Sequence, residues 1–239
     1  MSNERPPIRR GDGGVTADVQ AFLWQVAAVP NARPAGRRGR LLFGIDATAS
    51  RQPTWDTACQ IQSEMFRETA GLGGLEVQLV FYRGFHEMKA TSWVADSNRL
   101  AAIMGGVQCR GGQTQMARLL RYAIAETKRQ RIDALVFIGD CLEEAVDIVA
   151  HLAGELGLLG VPCFMFHEGA DATAMLGFRQ IATLTRGAYC RFDAGSAAEL
   201  RQLLAAVAVY AAGGRKALAD FSRREGGAAL LLAQQMKST

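Results

Sequence analysis

The sequence contains little that would mark a disulfide-stabilised, zinc-binding or membrane-spanning protein. Its five cysteines are widely separated and form no CxxC pair, which favours reduced thiols over a disulfide framework or a zinc site. No stretch reaches the roughly 18 consecutive apolar residues that a membrane span needs. The opening residues, MSNERPPIRRGDGG, lack the apolar core of a signal peptide. These absences predict a cytoplasmic protein with no membrane association.

Strong charge of one sign is also absent. Lysine and arginine number 27 against 23 acidic residues, which gives a formal net charge of only +4. Nucleic-acid binders usually concentrate basic residues on one face, so the sequence predicts no nucleic-acid partner. Hydrophobic residues make up 49% of the chain, which is ordinary for a globular protein. With 239 residues there is room for one good-sized domain with short additions.

Short apolar strands alternate with amphipathic helices over residues 40–212. The strand at 86–94 is expected to be an antiparallel hairpin partner at the sheet edge. Helices of this length between strands form βαβ crossovers. The pattern therefore predicts an α/β fold with a doubly wound, mostly parallel central sheet flanked by helices. Strands are predicted at 41–45, 75–84, 86–94, 133–140, 161–169 and 187–193, and helices at 54–70, 97–107, 114–130, 143–157, 172–185 and 196–212.

Two segments flank this predicted domain. Residues 1–39 are predicted to be a flexible basic segment with a short helix at 15–29, where apolar residues recur at helical spacing. Residues 213–239 are predicted to be a helical C-terminal tail.

Hydroxyl and carboxylate side chains follow the predicted strands at three places. Asp46 ends a buried strand in FGIDATAS, and Thr48 and Ser50 come next at alternate positions. Thr114 lies in the loop CRGGQT, and Asp140 ends VFIGD. Ligands of a doubly wound sheet gather at the carboxyl ends of its strands, and residues two apart in an extended loop project to the same side. These hard oxygen ligands suit Mg²⁺, or Mn²⁺ or Ca²⁺.

This arrangement resembles the metal-ion-dependent adhesion site (MIDAS) of the von Willebrand factor type A (VWA) domain family. That family has a DxSxS motif after the first strand, a threonine in a glycine-containing loop, and an aspartate after the fourth strand. The resemblance covers about residues 40–212, and the middle position of the first motif is threonine instead of serine. The matching positions are Asp46, Thr48, Ser50, Thr114 and Asp140.

The resemblance implies a fold, a metal site and a function. Ser50 and Thr48 would bind Mg²⁺ directly, Thr114 would be the movable ligand, and Asp46 and Asp140 would balance the charge. A glutamate or aspartate of a protein partner would fill the open coordination position. The expected function is non-catalytic, metal-dependent protein binding. VWA-like proteins inside bacteria and other cells often work beside ATPases or chaperones, so such a system is a candidate partner.

Other interpretations of these residues stay open. Thr48, Ser50, Thr114 and Asp140 are each also suited to capping a nearby helix. Asp46 could be the nucleophile of a phosphohydrolase or phosphotransferase, although the dehalogenase-type motif needs a second acid where Thr48 stands. A P-loop is excluded because CRGGQTQ has no lysine after its glycines. A structural subunit with a non-functional site is the third alternative.

Several charged residues near these loops are interpreted as ordinary surface residues. His167 and Glu168 end a predicted strand and are expected at the surface, with a place on the ligand face as the alternative. Arg51, Arg83 and Arg110 flank the loops and are expected to be solvated, although at the rim they would attract an acidic partner.

Overall fold

The computed structural model describes residues 37–192 and 197–225. The predicted helix at 15–29 and the end of the predicted tail, residues 226–239, lie outside the described residues. In the part of the chain that is described, no helix is both long and apolar enough to cross a membrane.

The described residues contain a six-stranded sheet with the strand order β3-β2-β1-β4-β5-β6. All neighbouring strands are parallel except the edge hairpin of β2 and β3. This confirms the predicted α/β fold with a mostly parallel sheet and an antiparallel edge. The strands are β1 (Gly39–Asp46), β2 (Leu75–Arg83), β3 (Glu87–Ala90), β4 (Ala134–Gly139), β5 (Cys163–Glu168) and β6 (Ala188–Phe192).

Helices cover both faces of the sheet and bury two separate apolar layers. Because both faces are covered, the central strands read as continuous apolar runs: every residue of β4 is buried. The helices are α1 (Gln52–Ile61), α2 (Ser63–Thr69), α3 (Ser97–Gly105), α4 (Met116–Arg129), α5 (Val146–Leu158), α6 (Ala172–Leu184) and α7 (Ala197–Glu225). Buried residues of α1, α2, α3 and α7 pack on one face, and those of α4, α5 and α6 pack on the other.

The largest differences between the predicted and the observed helices occur at three places. The helix predicted at 54–70 is divided into α1 and α2, which are separated by Gln62. The helix predicted at 143–157 begins only at Val146, because the side chains of Glu143 and Glu144 instead accept hydrogen bonds from Thr114 and Ala117. The last helix passes residue 212 and is interrupted at Gly214, where φ is 72°. Leu218 and Phe221 beyond this break are buried, so this part packs on the domain.

The order of the strands reverses between β1 and β4, which are adjacent although β2 and β3 lie between them in sequence. In a doubly wound sheet such a reversal opens a crevice at the carboxyl ends of the two strands. Ile45 of β1 pairs with Ile138 of β4. Asp46 and Asp140 therefore emerge at the same edge.

A buried ion pair holds the opposite end of β1. The Arg40 side chain is only 3% exposed, and its Nη2 lies 3.1 Å from Oε1 of Glu126 on α4. The Arg40 guanidinium also covers the Trp93 ring, at 3.9 Å from its centroid, and the Trp93 indole donates to the same Glu126 oxygen at 2.8 Å. Glu126 thus joins the first strand, helix α4 and the loop after β3.

Glu126→Ala should lower the free energy of unfolding by about 3–5 kcal/mol, because it leaves the buried Arg40 guanidinium with only the more distant and more exposed carboxylate of Glu76, at 3.8 Å. The matched control is Glu155→Ala. Glu155 pairs with Lys128 across an exposed surface, where the two side chains are 40% and 58% exposed, and its loss should cost less than about 1 kcal/mol. Urea unfolding of both variants measures the difference. Equal losses would contradict the role given to Glu126.

Candidate metal centre

Loops after β1 and β4, together with the loop before α4, enclose a cleft of about 220 Å³ at the carboxyl edge of the sheet. All five residues singled out in the sequence line this one cleft. Its other lining residues are small or come from the same loops. The complete set is Asp46, Thr48, Ala49, Ser50, Gly111, Gly112, Thr114, Asp140, Cys141 and Glu143.

The loop after β1 presents its two hydroxyls side by side. Oγ1 of Thr48 and Oγ of Ser50 lie 3.4 Å apart, and Ser50 donates to Oδ2 of Asp140 at 3.3 Å. The backbone here is a short 3₁₀ turn, Ala49–Arg51, and not the extended loop that the alternate spacing suggested. The turn forms because the Arg51 N–H donates to the Thr48 carbonyl at 2.9 Å.

Thr114 is held by two glutamates that sequence reasoning assigned to a helix. Its hydroxyl donates to Oε2 of Glu144 at 2.5 Å and accepts from the Glu143 N–H at 2.9 Å. Glu143 in turn accepts from the Thr114 N–H at 2.8 Å, and Glu144 from the Ala117 N–H at 3.0 Å. Carboxylates are favourable at a helix N-terminus, here that of α4. The acidic pair Glu143-Glu144, shortly after Asp140, is the available sequence signal.

The helix-capping interpretation of these residues is wrong. No side-chain cap bond is made by Thr48, which precedes the 3₁₀ turn. The residues before α1, α4 and α5 are Arg51, Gln115 and Ala145, again without a side-chain cap bond. Thr48, Ser50, Thr114 and Asp140 therefore have no capping role that would explain their convergence.

The glycine-containing loop reaches the cleft because Gly112 allows a close backbone approach. A Cβ at position 112 would lie 2.1 Å from the carbonyl oxygen of Gly84 in the β2–β3 turn. Two hydrogen bonds anchor the same loop, from the Gln113 N–H to Gly84 O at 3.2 Å and from the Arg110 N–H to Ala47 O at 2.9 Å. This anchoring sets the position of Thr114 relative to β1.

The Asp46 carboxylate is buried and only half bonded. Its Oδ1 accepts from the Thr48 N–H at 2.7 Å, whereas Oδ2 has no hydrogen-bond partner within the described residues. Asp46 is 1% exposed, and this burial raises its pKa to about 6 against the lowering effect of the Thr48 hydrogen bond. Its neighbour across the strand pair is Tyr82, whose pKa is raised well above its ordinary value by burial and by the Asp46 charge.

The donor set fits a hard divalent cation. Among the described residues the buried Oδ2 of Asp46 accepts no hydrogen bond, and the Thr114 hydroxyl accepts one, from the Glu143 N–H, which leaves its second lone pair unused. Oxygen-only ligands suit Mg²⁺ and Mn²⁺. The described ranges contain no cluster of three or more His, Cys, Asp or Glu side chains arranged to hold a metal, so any ion here would depend on the hydroxyls.

His167 and Glu168, which are predicted to lie at the surface, are buried. His167 is fully buried: its ring packs edge-on against Phe178, and its Nδ1 lies 2.8 Å from the Tyr189 hydroxyl. Glu168 is also buried, and it accepts from the hydroxyl of Thr54. Adjacent residues of a strand point to opposite faces of the sheet. Because helices cover both faces, His167 and Glu168 are both buried. The surface prediction for both residues is wrong.

Two of the three flanking arginines are ion-paired and not simply solvated. Arg51 bridges Asp140, at 3.0 Å, and Glu168. Arg83 forms a two-pronged pair with Glu87 at 2.9 Å and donates to Gln108 O. Arg110 is exposed, as predicted.

No protein-family model matches the sequence, and no curated protein matches it. Solved structures do match in fold. The chain is similar to the SpRpn10 VWA domain, with 14% identity over 74% of this chain and 98% of that one, at a TM-score of 0.53. It is also similar to the vWF domain of the type V pili tip protein Mfa5 from Porphyromonas gingivalis, with 9% identity over 73% and 95% of the two chains, at a TM-score of 0.57.

A third similar structure is proximal thread matrix protein 1 (PTMP1) from the mussel byssus, described with a zinc-occupied MIDAS motif. It shares 16% identity over 74% of this chain and 49% of that one, at a TM-score of 0.57. Together with the strand order, these similarities show that the chain has a VWA-like fold.

Asp46→Asn should change how stability depends on pH in the presence of chelator. Burial raises the pKa of Asp46 from 3.8 to about 6, so the folded protein holds this proton more tightly than the unfolded chain does. The stability that Asp46 contributes is therefore fully present below pH 4 and is lost as the pH rises through 6. Relative to Asp46→Asn, the wild type should lose about 2–3 kcal/mol between pH 4 and pH 7.

Urea unfolding of both proteins at the two pH values measures this difference. A constant difference across the range would show that the Asp46 carboxylate is not held in a destabilising environment.

Proposed function

We propose that this protein is a non-catalytic, metal-dependent protein-binding module. Mg²⁺ or Mn²⁺ would be held by Ser50, Thr48 and Thr114, with Asp46 and Asp140 balancing its charge. A glutamate or aspartate of a protein partner would complete the coordination. The observation that carries this proposal is the convergence of three hydroxyls on a buried carboxylate, Asp46, whose second oxygen lacks a partner among the described residues.

The exposure of the proposed ligands indicates which side of the cleft opens to solvent. Asp46 lies at its buried end and Thr114 is 8% exposed, whereas Ser50 is exposed and the Asp140 side chain is 26% exposed. An ion between them would face solvent on the Ser50 side, and an acidic side chain could reach it only from there. The carboxylates around the cleft would repel such a partner unless a cation were present. Binding should therefore require the metal.

The ion would supply a positive point for a carboxylate to bind, and the chain's residues would set its position. The neighbouring VWA structures support this proposal, and the zinc-occupied MIDAS motif of PTMP1 supports a divalent ion in such a fold. A partner from an ATPase or chaperone system fits the proposal, as does a cytoplasmic location, but both remain predictions from the sequence.

The hydrolase alternative has less support in the structure. Its nucleophile would be Asp46, which is 1% exposed. Position 48, where the motif needs an acid, is a threonine. Of the two other acids that line the cleft, Asp140 is ion-paired with Arg51 and Glu143 accepts from the Thr114 N–H. General acid–base catalysis needs a positioned proton-transfer group. Turnover of a phosphoester that is lost in Asp46→Asn would establish the hydrolase function instead.

Mg²⁺ or Mn²⁺ should raise the melting temperature of the wild type by about 5–10 °C at a hundredfold excess over its Kd. Ser50→Ala and Thr114→Ala should abolish this shift, because each removes a ligand oxygen. Ser92→Ala is the matched control, since Ser92 is exposed in the loop between β3 and the bridge at Val94, near the amino end of β2. Unchanged metal stabilisation in both ligand variants would favour the structural-subunit alternative.

Partner capture should depend on the same ion. Immobilised wild-type protein is expected to retain a partner from native extract in Mg²⁺ and to release it in chelator, whereas Thr114→Ala retains none. Acid-to-amide substitutions in the recovered partner should identify a single glutamate or aspartate whose loss abolishes binding. Retention that is equal in Mg²⁺ and in chelator would contradict capture through the ion.

A further inference from the structure

Arg51 directly follows Ser50 and places its guanidinium at the side of the cleft. The Arg51 side chain is only 12% exposed, although it belongs to a surface turn. Its Nη2 lies 3.0 Å from Oδ2 of Asp140, and its Nη1 is ion-paired with Glu168 at the end of β5. The guanidinium therefore bridges two carboxylates at the carboxyl ends of the neighbouring strands β4 and β5.

The same guanidinium contacts two of the five candidate metal ligands. Besides Asp140, it approaches Ser50, with Nε donating to Oγ at 3.4 Å. Ser50 also donates to the Asp140 oxygen that Arg51 pairs with. The serine oxygen has two lone pairs, and Arg51 is directed at one of them. A cation at Ser50 and Asp140 would thus meet a positive charge already in contact with both.

Glu168 keeps Arg51 in this position. The Glu168 side chain is 5% exposed and accepts from the Thr54 hydroxyl in α1. Removing one member of a buried pair leaves the other charge uncompensated, so Glu168 strongly favours retaining the guanidinium. Arginine is not deprotonated in proteins, so this positive charge persists at every pH at which the protein folds.

We propose that Arg51 is a tethered cation that competes with the divalent ion for Asp140 and Ser50, and so sets the metal affinity of the cleft. The inference rests on the metal site of the proposed function and adds its regulation. In the metal-free protein Arg51 compensates Asp140. When the ion binds, the guanidinium leaves Asp140 and stays on Glu168. The protein is thereby stable without metal and binds it only when the ion concentration is high enough to displace Arg51.

Calorimetric titration of the full chain with MnCl₂ alone tests this proposal. Arg51→Gln should bind Mn²⁺ about tenfold more tightly than the wild type, a coupling of ordinary size between two ligands of one site. Arg110→Gln is the matched control: it removes the same charge from an exposed side chain next to the cleft, and it should change the affinity by less than about twofold because exposed charges are screened.

Arg51→Lys provides a second variant in case Arg51→Gln does not fold. Lysine keeps the charge, but its single ammonium cannot match two carboxylates with a planar fork, so its Mn²⁺ affinity should lie between those of the wild type and Arg51→Gln. Metal-free Arg51→Gln should also melt at a lower temperature than the wild type and gain more from Mn²⁺, since Glu168 has lost its cation.

The outcomes separate this inference from the proposed function. Equal or weaker Mn²⁺ binding by Arg51→Gln and Arg51→Lys, with binding by the wild type intact, would overturn the inference alone. Equal tightening in Arg110→Gln would also overturn it, because the effect would then be one of general charge. Binding by Arg51→Gln but not by the wild type would support the inference and overturn metal-loaded capture by the native chain. No binding by any protein would overturn both.

Discussion

A carboxylate that is buried at the end of a central strand, with one oxygen bonded and the other not, determines the chemistry of the carboxyl edge of this sheet. Asp46 reaches this position because β1 is covered on both faces and ends where the strand order reverses. Burying a charge without a partner is costly, and its pKa of about 6 reflects that cost. The positive charge of Arg51 lowers this pKa, but its guanidinium is ion-paired with Asp140 and Glu168 and not with Asp46. An ion is the partner that would satisfy it.

The charges around the cleft are compensated locally and unequally. Glu143 and Glu144 are satisfied by N–H and O–H donors of the loop before α4 and of its first turn, and Glu168 by Arg51 and Thr54. Asp140 is the carboxylate whose compensation can change, since its only ion-pair partner among the described residues is Arg51. Whether Arg51 pairs with Asp140 would therefore distinguish the metal-free cleft from the occupied one.

The fold and the members of the cleft could be predicted from the sequence because they depend on local and periodic signals. Alternating strands and helices specify the sheet, and the carboxyl ends of β1 and β4 then bring Asp46 and Asp140 together whatever the details of packing. Thr114 is placed at the cleft by the resemblance to the VWA family, which has a threonine in a glycine-containing loop. The placement of Asp46 and Asp140 needs only the order of elements along the chain.

The contacts that control the cleft could not be predicted, because they join residues distant in sequence. Glu168 lies more than a hundred residues from Arg51, and nothing local indicates that the two side chains meet. Glu143 and Glu144 read as the start of a helix, and only the approach of the loop before α4 reveals that they bind Thr114 and Ala117 instead. The sequence predicts an extended loop where the structure has a 3₁₀ turn after Thr48, because the alternate spacing of polar residues does not distinguish an extended loop from a tight turn.

The most direct measurement is a crystal structure of the protein grown with saturating MnCl₂, with anomalous diffraction used to locate manganese. The account predicts one anomalous peak in the cleft, within about 2.5 Å of the hydroxyl oxygens of Ser50 and Thr48, and an Arg51 guanidinium that has left Asp140. A cleft without an anomalous peak, with Arg51 still paired to Asp140, would contradict it.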